Sequence, residues 1–261
     1  MFGEIRKGEA AMSFKQLSKK EKALKILYFV VLASFILPLI YLSVQIAFAP
    51  AVDDDSMQKS DYILMIVECM LGIIVINIPS MISKTLKYDI PVFLNVLYMI
   101  FLYCAIFLGE VRRFYYVVPH WDVILHCMSS MMLGLFGFMF VYLINKDKKT
   151  AMSLSPFFVA LFAFCFALSI EIMWEIYEFT FDGLLGLNMQ KFRLEDGTLL
   201  TGREALGDTM KDIIIDAVGS FIATVIGYVS LKNGKPIMGR MHGENDGDTA
   251  EKGGNDAEKD R

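Results

Sequence analysis

The sequence predicts an all-α, polytopic membrane protein of about six transmembrane helices, with a polar site among the last three. Three observations carry that prediction. The 261 residues are 55% hydrophobic, and a mean hydropathy of +0.48 is too high for an ordinary soluble domain. The apolar residues gather in runs of roughly 20, the length that crosses a bilayer as a helix. The few ionisable residues inside the last three runs recur at helical spacing.

The predicted spans follow in order. Ala23 to Phe48 ends in AFAP, which imitates a small-residue cleavage site, but the apolar run is longer than a signal sequence uses and Pro50 follows at once, so an uncleaved anchor is expected. Tyr62 to Ile82 carries one acid, Glu68, and an irregularity at Asn77 and Pro79. Pro91 to Leu108 carries no Asp, Glu, Lys or Arg. Trp121 to Ile144 opens with WDVILH, Leu154 to Phe181 closes with EIMWEIYEFTFD, and Asp208 to Leu231 opens with DTMKDIIID.

Residues 1–22 are expected to be a cytosolic segment, 23–231 the membrane domain, and 232–261 a disordered charged tail that lacks the apolar content to fold. Most of the 25 Lys and Arg fall in the N-terminal segment, the second and fourth loops and the tail, which places both termini in the cytosol. The longest connection, Gly183 to Gly207, then lies outside; its Gly and Asp-Gly turns predict a short hairpin or re-entrant segment over the outer mouth. No composition or motif points to nucleic acid. The cysteines Cys69, Cys104, Cys127 and Cys165 lie inside spans without CxxC spacing and read as packing residues.

The stretch Glu171 to Asp182 holds four carboxylates spaced 4, 3 and 4, Glu171, Glu175, Glu178 and Asp182. At about 100° per residue they share a roughly 60° arc of one helix. The fourth span presents Asp122 and His126 one turn apart, and the sixth presents Asp208, Asp212 and Asp216 at successive turns. Under the inferred topology all three stripes occupy the outer half, at overlapping depths of about 4 to 12 Å. His120 falls in a loop and His242 in the tail.

A carboxylate near the bilayer centre costs about 2.5 to 3.5 kcal/mol even on the gentlest insertion scale, and like charges add to that. Lys and Arg are absent from the interiors of these three helices, and Lys211 is expected to face away from the Asp stripe. A divalent cation, shared protons or penetrating water must compensate. Imidazole with several carboxylates suits Zn, Mn, Fe(II) or Mg. Expected ligands are His126, Glu175, Asp212 and Asp216, with Glu171 or Glu178 as general base or as orienter of His126, and Trp174 walling the site. The alternative is a water-filled vestibule whose acids are partly protonated and bonded to Ser129, Ser130, Tyr177 or Thr209.

At these residues the chain resembles a bacterial family of uncharacterised multi-pass inner-membrane proteins typified by YjdF. The resemblance rests on His126, on Glu171 with the Trp174-Glu175 pair, and on Asp208, Asp212, Asp216 and Gly219, covering Arg112 to Gly227. It implies an inner-membrane location and supplies no activity. Asp182-Gly183 and the later Asp series are similar to the pattern of CDP-alcohol phosphotransferases, but the Ala-Arg after the Asp-Gly and the Gly before the final Asp pair are missing at the required spacing. The paired His of lipid phosphatases and the intramembrane His pair of seven-helix zinc amidohydrolases are missing too. The sequence therefore predicts a metal-dependent membrane enzyme, a hydrolase or transferase acting on a lipid headgroup or envelope substrate. A cation- or proton-coupled transporter, or a non-catalytic scaffold or sensor, is the alternative.

Overall fold

A computed structural model describes residues 19–48, 59–86, 90–145, 153–194 and 197–234. Most of the expected terminal segments, His242 included, lies outside the described residues. Helices α1 (Lys19–Gln45), α2 (Lys59–Val75), α3 (Ile78–Leu86), α4 (Val92–Leu102), the short α5 (Phe114–Val117), α6 (Trp121–Asn145), α7 (Pro156–Leu185) and α8 (Gly207–Lys232) follow one another, with a π-helical segment Tyr103–Val111 continuing α4. Six helical stretches are long and apolar enough to cross a membrane, each overlapping a predicted span.

The apolar and polar residues are distributed as the bilayer requires. Large hydrophobic side chains point outward, Phe179 at 69% exposure for example, while Asp216 is 0% exposed and His126 8%. A soluble protein shows the opposite pattern; here outward Leu and Phe meet lipid and inward polar groups meet one another.

The second span is broken where the sequence is irregular. Pro79 has no N–H to donate to the carbonyl of Val75, and the Tyr98 hydroxyl donates to that carbonyl instead, at 2.7 Å. Asn77 Nδ2 donates to the Ile73 carbonyl at 2.9 Å and its Oδ1 accepts from the Tyr28 hydroxyl at 3.0 Å. The third span is longer than predicted, running to Val111. Its wide π turns, with Arg112 N–H donating to the Phe107 carbonyl at 2.8 Å, carry Glu110 into the protein.

Helices α6, α7 and α8 pack on one another as one three-helix group, and α1, α2, α4 and the π segment form a second. Small residues permit the close approaches in the first group. A Cβ added at Gly137 would sit 2.7 Å from the Ala163 main chain, and one at Gly219 would collide with the Ser130 hydroxyl. Ser155 caps α7 by accepting from Phe158 N–H at 3.2 Å, with Pro156 in the first turn, and Gly186, at φ 68°, ends it.

Candidate functional site

Helix α6 presents His126 toward α8, where Nδ1 lies 3.2 Å from both carboxylate oxygens of Asp216. On its other edge Nε2 lies 3.7 Å from Asp122 Oδ1 one turn back. The imidazole thus stands between two carboxylate groups. Ligand-type atoms of Asp122, His126 and Asp212 lie within 4.8 Å of one another, as do those of His126, Glu171 and Asp216.

The two groups differ in what neutralises them. Lys191 places its Nζ 2.6 Å from Asp122 Oδ2 and 3.5 Å from Asp208 Oδ2. Lys211 lies 3.1 Å from Asp208, 3.5 Å from Asp212 and 3.8 Å from Asp122. The expectation that Lys211 faces away from the Asp stripe is corrected here, because its long stem swings the ammonium back to the first turn of α8. The group of His126, Glu171 and Asp216 has no such ion pair with Lys or Arg among the described residues. In this inner region Glu171 Oε1 and both oxygens of the buried Glu175 accept no hydrogen bond within the protein.

The loop between α7 and α8 delivers Lys191. Asp182 accepts from the main-chain N–H groups of Met189 at 2.8 Å and Gln190 at 3.0 Å, so the last acid of the α7 stripe holds the loop down. Gln190 Nε2 donates to Thr209 Oγ1 at 2.7 Å, tying the loop to α8. Beyond it the chain makes the short hairpin that the Gly turns predict, with Arg193 and Leu199 bridged antiparallel. Lys191 itself adopts φ 48°, a left-handed conformation uncommon outside glycine. Burial opposes its charge, but the carboxylates of Asp122 and Asp208 outweigh burial and raise its pKa above the ordinary lysine value. With a raised folded-state pKa, the pairing stabilises fully below the ordinary lysine pKa and is lost only as pH climbs through the raised one. Lys191→Ala is expected to cost about 1 to 3 kcal/mol by taking the nearest cation from the half-buried Asp122 and leaving it only Lys211 at 3.8 Å, and a second change, Asp122→Asn, to recover most of it. Thermal melts of the single and double variants read this directly; a silent Lys191→Ala would show that the pair does not hold the loop.

Between the two helix groups lies a cavity of about 730 Å³, lined at one end by His126, Glu171, Glu178 and Lys191. Trp174 lines it as expected and donates from Nε1 to Glu178 Oε1 at 2.8 Å. Across the cavity Tyr177 donates to Glu68 Oε1 at 3.4 Å, and Glu110 faces the same space.

The model of a family described as "Predicted membrane protein (DUF2238)" matches residues 27–233. The chain belongs to this family. An uncharacterized protein of Thermotoga maritima is 32% identical over 122 residues, 46% of this chain and 54% of that relative, so the match spans about half of the relative's length. No solved structure matches the chain. The YjdF-like resemblance is consistent with this membership.

Of the six site residues expected from sequence, His126, Glu171, Asp212 and Asp216 converge within the two overlapping groups. Glu175 is buried beside them, in electrostatic reach of His126, Asp212 and Asp216. Glu178 sits apart, bonded to Trp174. Sequence reasoning passed over Asp122 as a site residue, and Lys191 and Glu110 altogether. The WDVILH spacing already pairs Asp122 with His126. Nothing local in a polar loop marks Lys191 as pointing inward, and Glu110 lies past the predicted end of its apolar run at Leu108, which the π segment extends.

Proposed function

We propose that the protein is a metal-dependent membrane enzyme, a hydrolase or transferase, whose divalent ion would be held by His126 Nδ1, Glu171 and Asp216. The observation that carries this reading is a buried imidazole-and-carboxylate group that no lysine neutralises, opening onto a large cavity. Relative to the sequence expectation, Glu171 passes from base to ligand and Glu175 from ligand to base, while Asp212, whose carboxylate has Lys211 at hand, leaves the ligand set. Of the four hydroxyls that the water-filled alternative calls on, Ser129 is in hydrogen-bond contact with Glu171, while Ser130 and Tyr177 donate away from His126, Glu171 and Asp216. Ser130 donates to the Cys127 carbonyl, Tyr177 to Glu68, and Thr209 accepts from Gln190.

A bound divalent ion of this kind lowers the pKa of its water and polarises a substrate oxygen. Glu175 is positioned to accept the proton, being buried and without a hydrogen-bond donor of its own. Asp122 and Lys191 hold the far edge of the His126 ring, and Glu178 with Trp174 walls the approach from the cavity.

The excess of Lys and Arg toward the termini supports a cytosolic location for both and an outward-facing site, in a bacterial inner membrane as the resemblance implies. A reporter fused after Lys148 is then expected to read cytosol; an external reading would turn the site inward. One observation favours an ion-coupled carrier instead, namely that the cavity lies between two three-helix groups. Metal analysis of His126→Ala and Cys127→Ala separates these readings. Cys127 neighbours His126 but points about 100° away, so its truncation is expected to leave bound metal intact, whereas His126→Ala abolishes it in a protein that still folds. Equal metal in both variants, or none in either, contradicts the enzyme reading.

A further inference from the structure

The cavity is polar at one end only. Below His126 and Ser129 its α6 face is Met132, Leu133, Phe136, Met139 and Leu143, and the opposite wall includes Leu71, Phe101 and Leu102. From Asp122 to Leu143 the lined face covers about 30 Å of helix, close to the full hydrocarbon thickness. A cavity of about 730 Å³ along that length accommodates an extended hydrocarbon chain. A void of this size with apolar walls forfeits dispersion contacts along its whole length unless something apolar fills it. At the polar end Glu171 is 5% exposed and its Oε1 has no hydrogen-bond donor within the protein, so in the metal-free protein the occupant's head can donate one there. Glu68, Glu110 and Glu178 line the same region, and its one lysine, Lys191, is already paired with Asp122 and Asp208, which disfavours a bare anionic head.

We propose that this cavity binds a single-chain amphiphile, its hydrocarbon tail lying along α6 toward Leu143 and its ammonium or hydroxyl head at Glu171 and His126. As a substrate class this rests on the metal-enzyme reading, while the binding itself requires no metal. The tail would explain why a polar site is joined to an apolar tunnel, and the tunnel's length would select among chain lengths.

The test uses the full chain in phosphatidylcholine nanodiscs with chelator present, measuring how n-alkylamines of increasing length displace radiolabelled hexadecylamine. A tail that leaves the bilayer for the tunnel exchanges one apolar medium for another, so displacement is expected to stay level with length until the tunnel is full. Beyond that it should fall by about fourfold for each methylene that finds no room. Leu133→Trp should move the limit to shorter chains and Phe136→Ala to longer ones. Retention of hexadecylamine no greater than in protein-free nanodiscs, or one limit shared by both tunnel variants and the parent, overturns the proposal. A length limit that persists where metal analysis is negative would retain the binding site and remove only the metal enzyme.

Discussion

Gly219→Val is expected to separate α8 from α6 and to abolish the site with it. A side chain at this position runs into the Ser130 hydroxyl, itself wholly buried, with the Cys127 carbonyl only 3.3 Å away. The Cys127 carbonyl is main chain, and the Ser130 hydroxyl that donates to it can turn away only about its Cα–Cβ bond inside a fully buried site, so the overpacking cost of about 1 to 3 kcal/mol should be met at its upper end. Gly219 follows Asp216 by three residues on the same face of α8, and any outward shift there draws the Asp216 carboxylate away from His126 Nδ1. Gly183 supplies the control. It lies inside α7 with open space where a Cβ would go, so Gly183→Ala should be neutral or add about 0.5 to 1 kcal/mol of helix stability. Thermal melting in detergent compares the two; a Gly219→Val protein that melts like the parent would mean that the helices do not meet as closely as described.

Glu175→Gln should divide the metal reading from simple charge repulsion. Both Glu175 oxygens are buried without a donor, in electrostatic reach of Glu171 on α7 and of Asp208, Asp212 and Asp216 on α8. With an ion neutralising the group, the amide removes charge that helps hold it, so metal binding weakens while the fold survives. Were the acids merely crowded together, the same change would relieve a like-charge penalty and raise the melting temperature, by an amount indifferent to chelator. The account expects the first result, with a chelator-induced destabilisation of about 3 kcal/mol in the parent, the scale given by a ligand at a hundred times its dissociation constant, and a smaller one in Glu175→Gln.

Much of the architecture was legible because the bilayer imposes a coarse rule, and six apolar runs became six long helices. The three polar stripes were legible for the same reason: acids at i, i+4 spacing in an apolar helix have nowhere to face but inward. What the sequence did not reveal depends on distance along the chain or on backbone irregularity. Lys191 reaches Asp122 from 69 positions away through a loop held by Asp182, a contact that no periodicity encodes. Because that cation went unseen, all the acids seemed to need one compensating ion, and Asp212 was grouped with Asp216. The structure divides them, giving Asp122, Asp208 and Asp212 to the lysines and leaving Glu171, Glu175 and Asp216 around His126. Glu110 was missed because a π segment adds residues to a turn, moving an acid past the apparent end of an apolar run onto the cavity wall.

Elemental analysis of the purified full-length protein, before and after dialysis against chelator, tests the central claim most directly. The account predicts a divalent metal bound at a fixed stoichiometry, lost on chelation together with part of the thermal stability, and absent from Asp216→Asn. A parent protein that carries no metal, binds none when Zn, Mn, Fe(II) or Mg is added, and melts at the same temperature with and without chelator would contradict it.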